Sequence, residues 1–385
     1  MPRIRLRIER HVRHPWIFRR MLPRELPALP PGSLVAIEDR GGRPVGHGFF
    51  NARSQIALRV LSDDPAVPVD AEWFARRIAA AVALRREVLG LDRVGDAWRV
   101  VHAEGDGLSG LVVDRFGELL VVEYHAAGMW RHRAWIHAAL ERAFPGWRRI
   151  ESADAGLAAR EGFRPPPPAP LETVEIREHG LRFLVRPAGL HKTGFFADQR
   201  ENRLLLSGLA GGRRMLDLCC NSGAFSVYAL ARGGAREAVG VDLDAEALEL
   251  ARRNARLNGV RARFVQADLF PWLRDAIANG ERFELVVLDP PKLTRERERR
   301  EEALRKYLDM NRLAMQVLAP GGLLLSCSCT GLVGEGDFLE MLRRASAAAG
   351  RCLQVLHVGG AGPDHPFLAH VPESRYLKAV LGRLD

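Results

Sequence analysis

The sequence predicts an α/β protein whose C-terminal half is a doubly wound, mostly parallel sheet, preceded by a small all-β domain and a small α+β domain. Three observations support this. Within residues 171–385, short apolar runs alternate with stretches of helical periodicity. Residues 1–66 contain short alternating runs broken by glycines, and residues 67–170 mix strands with amphipathic helices. At 385 residues, the chain exceeds what one hydrophobic core usually serves.

The all-β segment is predicted from Ser33–Ile37 and Gln55–Val60, whose alternation is typical of half-buried strands. Glycines such as Gly46 separate these runs. The stretch Met1–Arg10 alternates charged and apolar residues and lacks the apolar core of a secretory signal, so we interpret it as a first strand.

The α+β segment begins with apolar residues at helical spacing over Ala71–Leu89. A second helix is predicted to end at Ala143. The predicted strands between them are Arg99–His102, Gly110–Asp114 and Leu119–Tyr124. The proline-rich stretch Arg164–Pro170 cannot form a helix or a central strand, because proline lacks the amide donor, so we place a domain boundary there.

After a hairpin signal at Glu178–Gly180, the last segment predicts five strands of a parallel sheet. They are Arg214–Leu218, Glu237–Val241, Ala262–Val265, Leu285–Leu288 and Gly322–Leu325.

The first of these strands runs into a turn of small residues that ends at Gly223, where backbone can approach a ligand closely. Asp242 ends the second strand, and its carboxylate can accept hydrogen bonds from ribose hydroxyls. A dinucleotide site would need G-x-G-x-x-G, which this turn lacks, so NAD is disfavoured. The pattern favours an adenosine ligand. The candidate cofactor residues are Asp217, Cys219, Asn221, Gly223, Asp242, Asp268 and Asp289. The alternative is a cofactor-free domain whose aspartates cap helices.

The fourth and fifth strands should be neighbours, so Asp289–Lys292 and Ser326–Thr330 should end side by side, where a flipped base could sit. Two chemistries are open. Methylation of an exocyclic nitrogen needs only the acceptors of the first segment. Methylation of cytosine C5 needs a thiolate that first adds to C6, and a cysteine after the fifth strand meets that need. Lys292 could then favour the thiolate, and Asp289 could hydrogen-bond the pyrimidine edge.

The five cysteines form no C-x-x-C pairs and are odd in number, which argues against a disulfide framework or a zinc site, so we expect reduced thiols and no metal. Cys327 and Cys329 are two residues apart and would share one face of a strand. The alternative is that they are small buried apolar residues, as we expect for Cys219, Cys220 and Cys352.

The formal net charge of +10 raises the expectation of a polyanionic partner, although a GC-rich coding bias explains the preference for Arg over Lys. No run of about 18 apolar residues occurs, so we expect no membrane span and a cytoplasmic protein.

Six motifs together resemble one family. They are His14–Phe18, Leu190–Arg203, Asp289–Lys292, Ser328–Gly331, Asp364–Pro366 and Pro372–Lys378. Over essentially its whole length, the chain resembles the bacterial 23S ribosomal RNA cytosine-5 methyltransferases. The resemblance implies an RNA-binding PUA domain, a central α+β domain and a class I, Rossmann-like methyltransferase domain. It also implies S-adenosyl-L-methionine as cofactor and large-subunit ribosomal RNA as partner; a homodimer is one possible assembly.

In the family this chain resembles, the nucleophile is the cysteine after the fifth strand, which corresponds to Cys329. The stretch Lys192–Arg200 resembles one that packs over the cofactor, so Gln199 is expected to contact it. The turn Cys219–Gly223 departs from the family pattern, which puts fine contacts in doubt. Many other RNA cytosine methyltransferases carry a second cysteine at the position of Lys292, so a different base must remove the C5 proton here.

Two other functions are open. Relatives with similar Asp-Pro-Pro turns methylate guanine without a covalent step. A non-catalytic RNA-binding or ribosome-assembly factor is the second alternative. In the first domain, Arg13, Arg19 and Arg20 cluster around Trp16 and Phe18 and could contact RNA, although a buried aromatic pair is an equal explanation.

Overall fold

The chain divides into two compact units in the computed structural model, which describes residues 1–9, 14–167, 172–187 and 194–385. The first unit comprises residues 1–174, 186–195 and 363–374, and the second comprises 175–185, 196–362 and 375–385. Arg13, Leu190–Thr193 and part of Arg164–Pro170, which the sequence analysis singled out, lie outside the described residues. The division into three domains stays a prediction.

The first unit opens with a five-stranded sheet in the order β1-β3-β4-β5-β2. Its strands are β1 (Arg3–Arg5), β2 (Trp16–Ile17), β3 (Ser33–Glu38), β4 (Pro44–Phe50) and β5 (Leu58–Ser62). The β3 prediction is confirmed, and Val35 and Ile37 are fully buried as the alternation required. β5 begins at Leu58 rather than Gln55, because Asn51 closes the preceding loop: its amide donates to the carbonyl of Ala57.

A second sheet of the same unit has the order β6-β7-β8-β9. Its strands are β6 (Ala97–His102), β7 (Leu111–Phe116), β8 (Leu119–Tyr124) and β9 (Arg148–Ser152). Its helices are α1 (Ala71–Ala83), α2 (Ala127–Arg131), α3 (Arg133–Ala143) and α4 (Ala155–Glu161). Asp70 caps α1 by accepting from the Trp73 amide, and the helix continues as a π-helical turn, Leu84–Val88, which together cover the predicted helix.

The second unit is built on a seven-stranded sheet in the order β14-β13-β12-β15-β16-β18-β17, preceded by the hairpin β10 (Val174–Glu178) and β11 (Leu181–Val185). The sheet strands are β12 (Arg214–Leu218), β13 (Glu237–Asp242), β14 (Arg263–Gln266), β15 (Phe283–Leu288), β16 (Leu318–Ser328), β17 (Leu353–Gly359) and β18 (Lys378–Leu384). The helices are α5 (Arg200–Ser207), α6 (Ala224–Val227), α7 (Ala245–Leu257), α8 (Leu269–Ala278), α9 (Arg300–Gln316) and α10 (Glu335–Ala348).

All five predicted strands of this sheet are present, and β12 to β16 are parallel. β18 is antiparallel to both of its neighbours. Helices cover both faces: Leu273 and Phe338 pack on one side, and Leu206 and Phe225 on the other. Since parallel strands end at one edge, the segments after β12, β13, β15 and β16 meet there. In the described parts of the chain, no helix is long and apolar enough to cross a membrane.

Candidate active site

The turn after β12 has unusual backbone angles and packs closely against neighbouring elements. Cys219 and Asn221 have positive φ angles of 59° and 47°. At Gly223, also with positive φ, a Cβ atom would lie 2.9 Å from side-chain atoms of both Ala251 and Phe264. A side chain at this position would therefore push the turn outward, which explains why the sequence places glycine here.

Asp242 at the end of β13 holds this turn. Its Oδ2 accepts from the Asn221 amide at 2.8 Å, and its Oδ1 accepts from the Asp244 amide at 3.0 Å. The side chain is half-buried, and it ends β13 at the edge of the sheet where a ligand would lie. Asp268, in contrast, is exposed and caps α8 by accepting from the Phe270 amide at 2.8 Å. It has the helix-capping role that the sequence analysis kept as an alternative.

Asp217 lies within β12 and is almost completely buried. Its Oδ2 accepts from the amide and the hydroxyl of Ser226, at 3.1 and 2.7 Å. Burial raises the pKa of Asp217 to about 7, and the charges of Asp289 and Asp242 add to the rise. In this structure its described contacts anchor the first turn of α6, and its contact with a cofactor stays a prediction.

Gln199 connects the segment before α5 to the turn after β15. Its amide Nε2 donates to Asp289 Oδ2 at 2.9 Å, and its Oε1 accepts from Asn202 Nδ2 at 2.6 Å. Asn202 also donates to the carbonyl of Gly360. Because Gln199 is 1% exposed, this chain of hydrogen bonds is fixed inside the fold and orients the half-buried Asp289 carboxylate.

The predicted pair of segments does lie side by side. β15 and β16 pair in parallel up to Leu288 and Ser326. Beyond the strands, the hydroxyl of the buried Thr330 accepts from the Leu293 amide at 3.2 Å and contacts the Tyr307 hydroxyl at 2.9 Å. The loop after Asp289–Lys292 is thus bonded to the residue that follows Cys329.

Cys329 is 8% exposed and comes directly after the last residue of β16, Ser328. Ser328 donates from its hydroxyl to Tyr307 on α9 at 3.0 Å, which fixes the end of the strand. The alternation that predicted a shared face for the two cysteines stops one residue short of Cys329. Lys292 is exposed, on the neighbouring segment.

Lys378 is a site residue that the sequence analysis quoted in a motif but did not select. It is 3% exposed and lies opposite Ser328 in the β16–β18 pairing. Its ammonium group donates to the carbonyls of Thr330 and Tyr376 at 2.8 and 2.7 Å. Burial lowers the pKa of Lys378 to about 8; the charge of Lys292 also lowers it, and that of Cys329 opposes the change. A lysine directly before the apolar run Ala379–Leu381 was the available signal.

Three of the other cysteines are expected to be poor nucleophiles at neutral pH. Burial raises the pKa of the Cys219, Cys220 and Cys327 thiols well above the usual value, and neighbouring aspartates add to each rise. Cys327 is fully buried in an apolar cluster. Within the described residues, no group of three or more His, Cys, Asp or Glu side chains is placed to hold a metal ion.

The aromatic and basic cluster of the first unit is engaged within the fold. The half-buried Trp16 donates from its indole nitrogen to Glu104 at 2.8 Å. Arg19 donates to the carbonyls of Pro23 and Arg24, both at 2.8 Å. These contacts favour the structural explanation for Trp16 and Arg19.

Two family models match the chain: a PUA-like domain over residues 9–63 and an S-adenosylmethionine-dependent methyltransferase over residues 166–382. The second match spans more than half of the sequence, and the chain is therefore an S-adenosylmethionine-dependent methyltransferase. Among curated proteins, it is similar to ribosomal RNA large subunit methyltransferase I of Aeromonas salmonicida, with 37% identity over 379 residues, 96% of this chain and 95% of that protein. The same enzyme of Salmonella arizonae is 36% identical, covering 97% and 94%. The chain belongs to this family.

Solved structures confirm the fold class. A candidate methyltransferase in complex with SAH superposes with a TM-score of 0.85 at 19% identity, covering all of both chains. A candidate S-adenosylmethionine-dependent methyltransferase from Streptococcus mutans has a TM-score of 0.82 at 18% identity, again over both full chains. At such identities, the likeness extends to the fold alone.

Proposed function

We propose that this protein methylates C5 of a cytosine in large-subunit ribosomal RNA, with Cys329 as the covalent nucleophile. The class of RNA follows from the relatives, which are ribosomal RNA large subunit methyltransferases. The observation that carries the cytosine chemistry is the position of Cys329 at the carboxyl edge of the sheet. The next residue, Thr330, accepts from Lys378 through its carbonyl and from the Leu293 amide through its hydroxyl. A ribosomal RNA substrate implies that the protein acts in the cytoplasm.

The residues after β12 and β13 suit S-adenosyl-L-methionine. Glycine at position 223 lets the turn after β12 pack closely on Ala251 and Phe264, and Asp242 presents a carboxylate for the ribose hydroxyls. When bound, the cofactor supplies an electrophilic methyl group for C5. Asn221 and Cys219 contribute to the same turn.

Cys329 makes C5 reactive. Its thiolate forms a bond to C6, and the electrons of the C5–C6 double bond move to C5, which can then accept the methyl group. Loss of the C5 proton restores the double bond and expels the thiolate, so Cys329 is regenerated. Asp289, oriented by Gln199, accepts from the cytosine amino group and holds the ring for attack.

Substitution of Cys329 tests the proposal. The assay measures incorporation of labelled methyl groups into ribosomal RNA isolated from cells that lack the protein. In this assay, the Cys329→Ala variant should be inactive. Cys327→Ala, a change two residues away at a buried thiol, should retain most of the activity. RNA carrying 5-fluorocytosine should form a stable adduct with wild-type protein, because fluorine blocks the final elimination, and mass spectrometry should map it to Cys329.

Retained transfer by Cys329→Ala would contradict covalent catalysis and favour methylation of guanine or of an exocyclic nitrogen. No methyl incorporation by the wild-type protein, together with no binding of S-adenosyl-L-methionine in calorimetry, would favour a non-catalytic RNA-binding factor.

A further inference from the structure

A cavity of about 390 Å³ lies in the first unit, whereas the proposed reacting residues all lie in the second. Its apolar walls come from β5, from α1 and from the segment near the end of the chain, and include Val60, Ala80 and Leu368. Arg77 and His370, both exposed, line it as well. The volume is sufficient for one nucleobase with part of its sugar.

Glu104 is a charged residue in the wall of this cavity and is 8% exposed. Its Oε1 accepts from the Trp16 indole at 2.8 Å and from the Ser109 hydroxyl at 2.6 Å, and it lies 3.5 Å from the Arg59 guanidinium. None of the described residues donates to the second oxygen, Oε2. The side chain is therefore held in place through Oε1, while Oε2 keeps its lone pairs for a ligand with N–H groups that enters the cavity.

Two further carboxylates line the cavity: Asp63, which is exposed, and Asp106, both of whose oxygens are engaged within the fold. Asp106 accepts from the buried Arg85 guanidinium through both oxygens, at 2.5 and 2.9 Å, and from the His102 amide. Recognition by the deep part of the cavity therefore depends on Glu104 Oε2 and on apolar contact with a flat ring.

We propose that this cavity binds an unpaired guanine of the RNA substrate, with Glu104 Oε2 accepting from the guanine N1–H and the N2 amine. Guanine is the base that presents two adjacent donors on its Watson–Crick edge. Uracil presents a single N–H between two carbonyls, which a carboxylate repels. Arg77 is placed for the phosphate of the same nucleotide. The inference rests on the proposed function only in taking RNA as the substrate.

Single-base changes in a short RNA test this inference. The probes are twelve-nucleotide uridine oligomers with a central guanosine, inosine or uridine, and their affinity for the full chain is measured by fluorescence anisotropy at constant salt. The guanosine oligomer should bind about tenfold more tightly than the uridine oligomer, as expected for hydrogen bonds to a charged acceptor. Inosine, which lacks the N2 amine, should be intermediate.

Two substitutions on α1 form a matched pair. Ala80→Trp fills the cavity and should abolish the preference for guanosine. Ala79→Trp adds the same side chain at the adjacent exposed position, outside the cavity wall, and should keep the preference for guanosine.

A third variant, Glu104→Gln, retains an oxygen for Trp16 and Ser109 but places an amide donor toward the base. It should also remove the preference for guanosine, while the circular dichroism spectrum of the variant stays unchanged.

Equal affinity of wild-type protein for the three oligomers, or the same guanosine preference in Ala79→Trp and Ala80→Trp, would overturn the inference. If ribosomal RNA is still methylated in a Cys329-dependent manner, only the cavity proposal fails. If no oligomer binds and no RNA is methylated, the proposed function itself fails.

Discussion

Replacement of Lys378 by methionine tests whether a buried ammonium group keeps Cys329 reactive. Methionine has similar volume but no charge, and it would leave the Thr330 and Tyr376 carbonyls without their donor. An ion pair at about 4 Å contributes roughly 4 kcal/mol at an effective dielectric constant of about 20. Because the ammonium group donates to the carbonyls of Thr330 and Tyr376, we expect a smaller effect on the Cys329 thiolate, of about 1–3 kcal/mol. This corresponds to a loss of about five- to 150-fold in thiolate population at neutral pH.

The assay is alkylation of the native protein by iodoacetamide, followed residue by residue with mass spectrometry. Only the thiolate reacts, so the rate at Cys329 reports its population. The exposed Cys352 serves as an internal standard. In wild-type protein, the advantage of Cys329 should be present below about pH 8 and diminish above it, because Lys378 loses its proton as the pH rises through its lowered pKa of about 8. In the methionine variant, the ratio of Cys329 to Cys352 alkylation should not decline above about pH 8.

An unchanged ratio of Cys329 to Cys352 alkylation in a folded Lys378→Met protein would refute the reasoning. Folding is checked by thermal unfolding, because removal of a buried donor leaves two carbonyls unsatisfied. Lys378→Arg restores a positive charge and, where it folds, should recover part of the rate. Recovery with arginine and not with methionine would separate an electrostatic role from a packing role.

Two further predictions follow from burial and charge. The folded pKa of Asp217, about 7, is raised above its unfolded value of 3.8, so its contribution to stability is lost as the pH rises from about 4 to 7, by up to roughly 4 kcal/mol. Asp217→Asn should remove this dependence. In urea unfolding, the free energy of unfolding of the variant should therefore rise relative to that of wild type between pH 5 and pH 8; an identical difference between the two proteins at both pH values would contradict this. The net charge of +10 predicts that affinity for ribosomal RNA falls steeply between about 50 and 200 mM salt, and a flat dependence in filter binding would count against phosphate contacts.

The parallel sheet could be predicted from sequence because each strand is a short apolar run followed by a turn of small or acidic residues. β12 was predicted to the residue. β16 was predicted as Gly322–Leu325 and extends over Leu318–Ser328. The extra length is supported by antiparallel pairing with β18, which comes from the end of the chain. A local pattern carries no information about such a distant partner.

The same limit applies to the site. The proximity of Asp289 and Cys329 could be predicted from the sequence, because adjacent parallel strands end at one edge of the sheet. The contacts that position them could not: Gln199 reaches Asp289 across 90 residues, and Lys378 reaches Thr330 across 48. Gln199 was expected to touch the cofactor, and its described hydrogen bonds go to Asp289 and Asn202.

The charges around this edge are divided in a way that suits the proposed reaction. Asp217, Asp242 and Asp289 converge near the turn after β12, and together they raise the pKa of the Cys219 thiol beyond what burial does. A sulfonium cofactor carries a positive charge, so the same carboxylates favour it over its neutral demethylated product. Lys292 and Lys378 lie instead on the side of Cys329, where a thiolate must persist. We therefore expect Cys329 to be more reactive than Cys219, Cys220 and Cys327, because the fold places it near cations and places those three among carboxylates or apolar side chains.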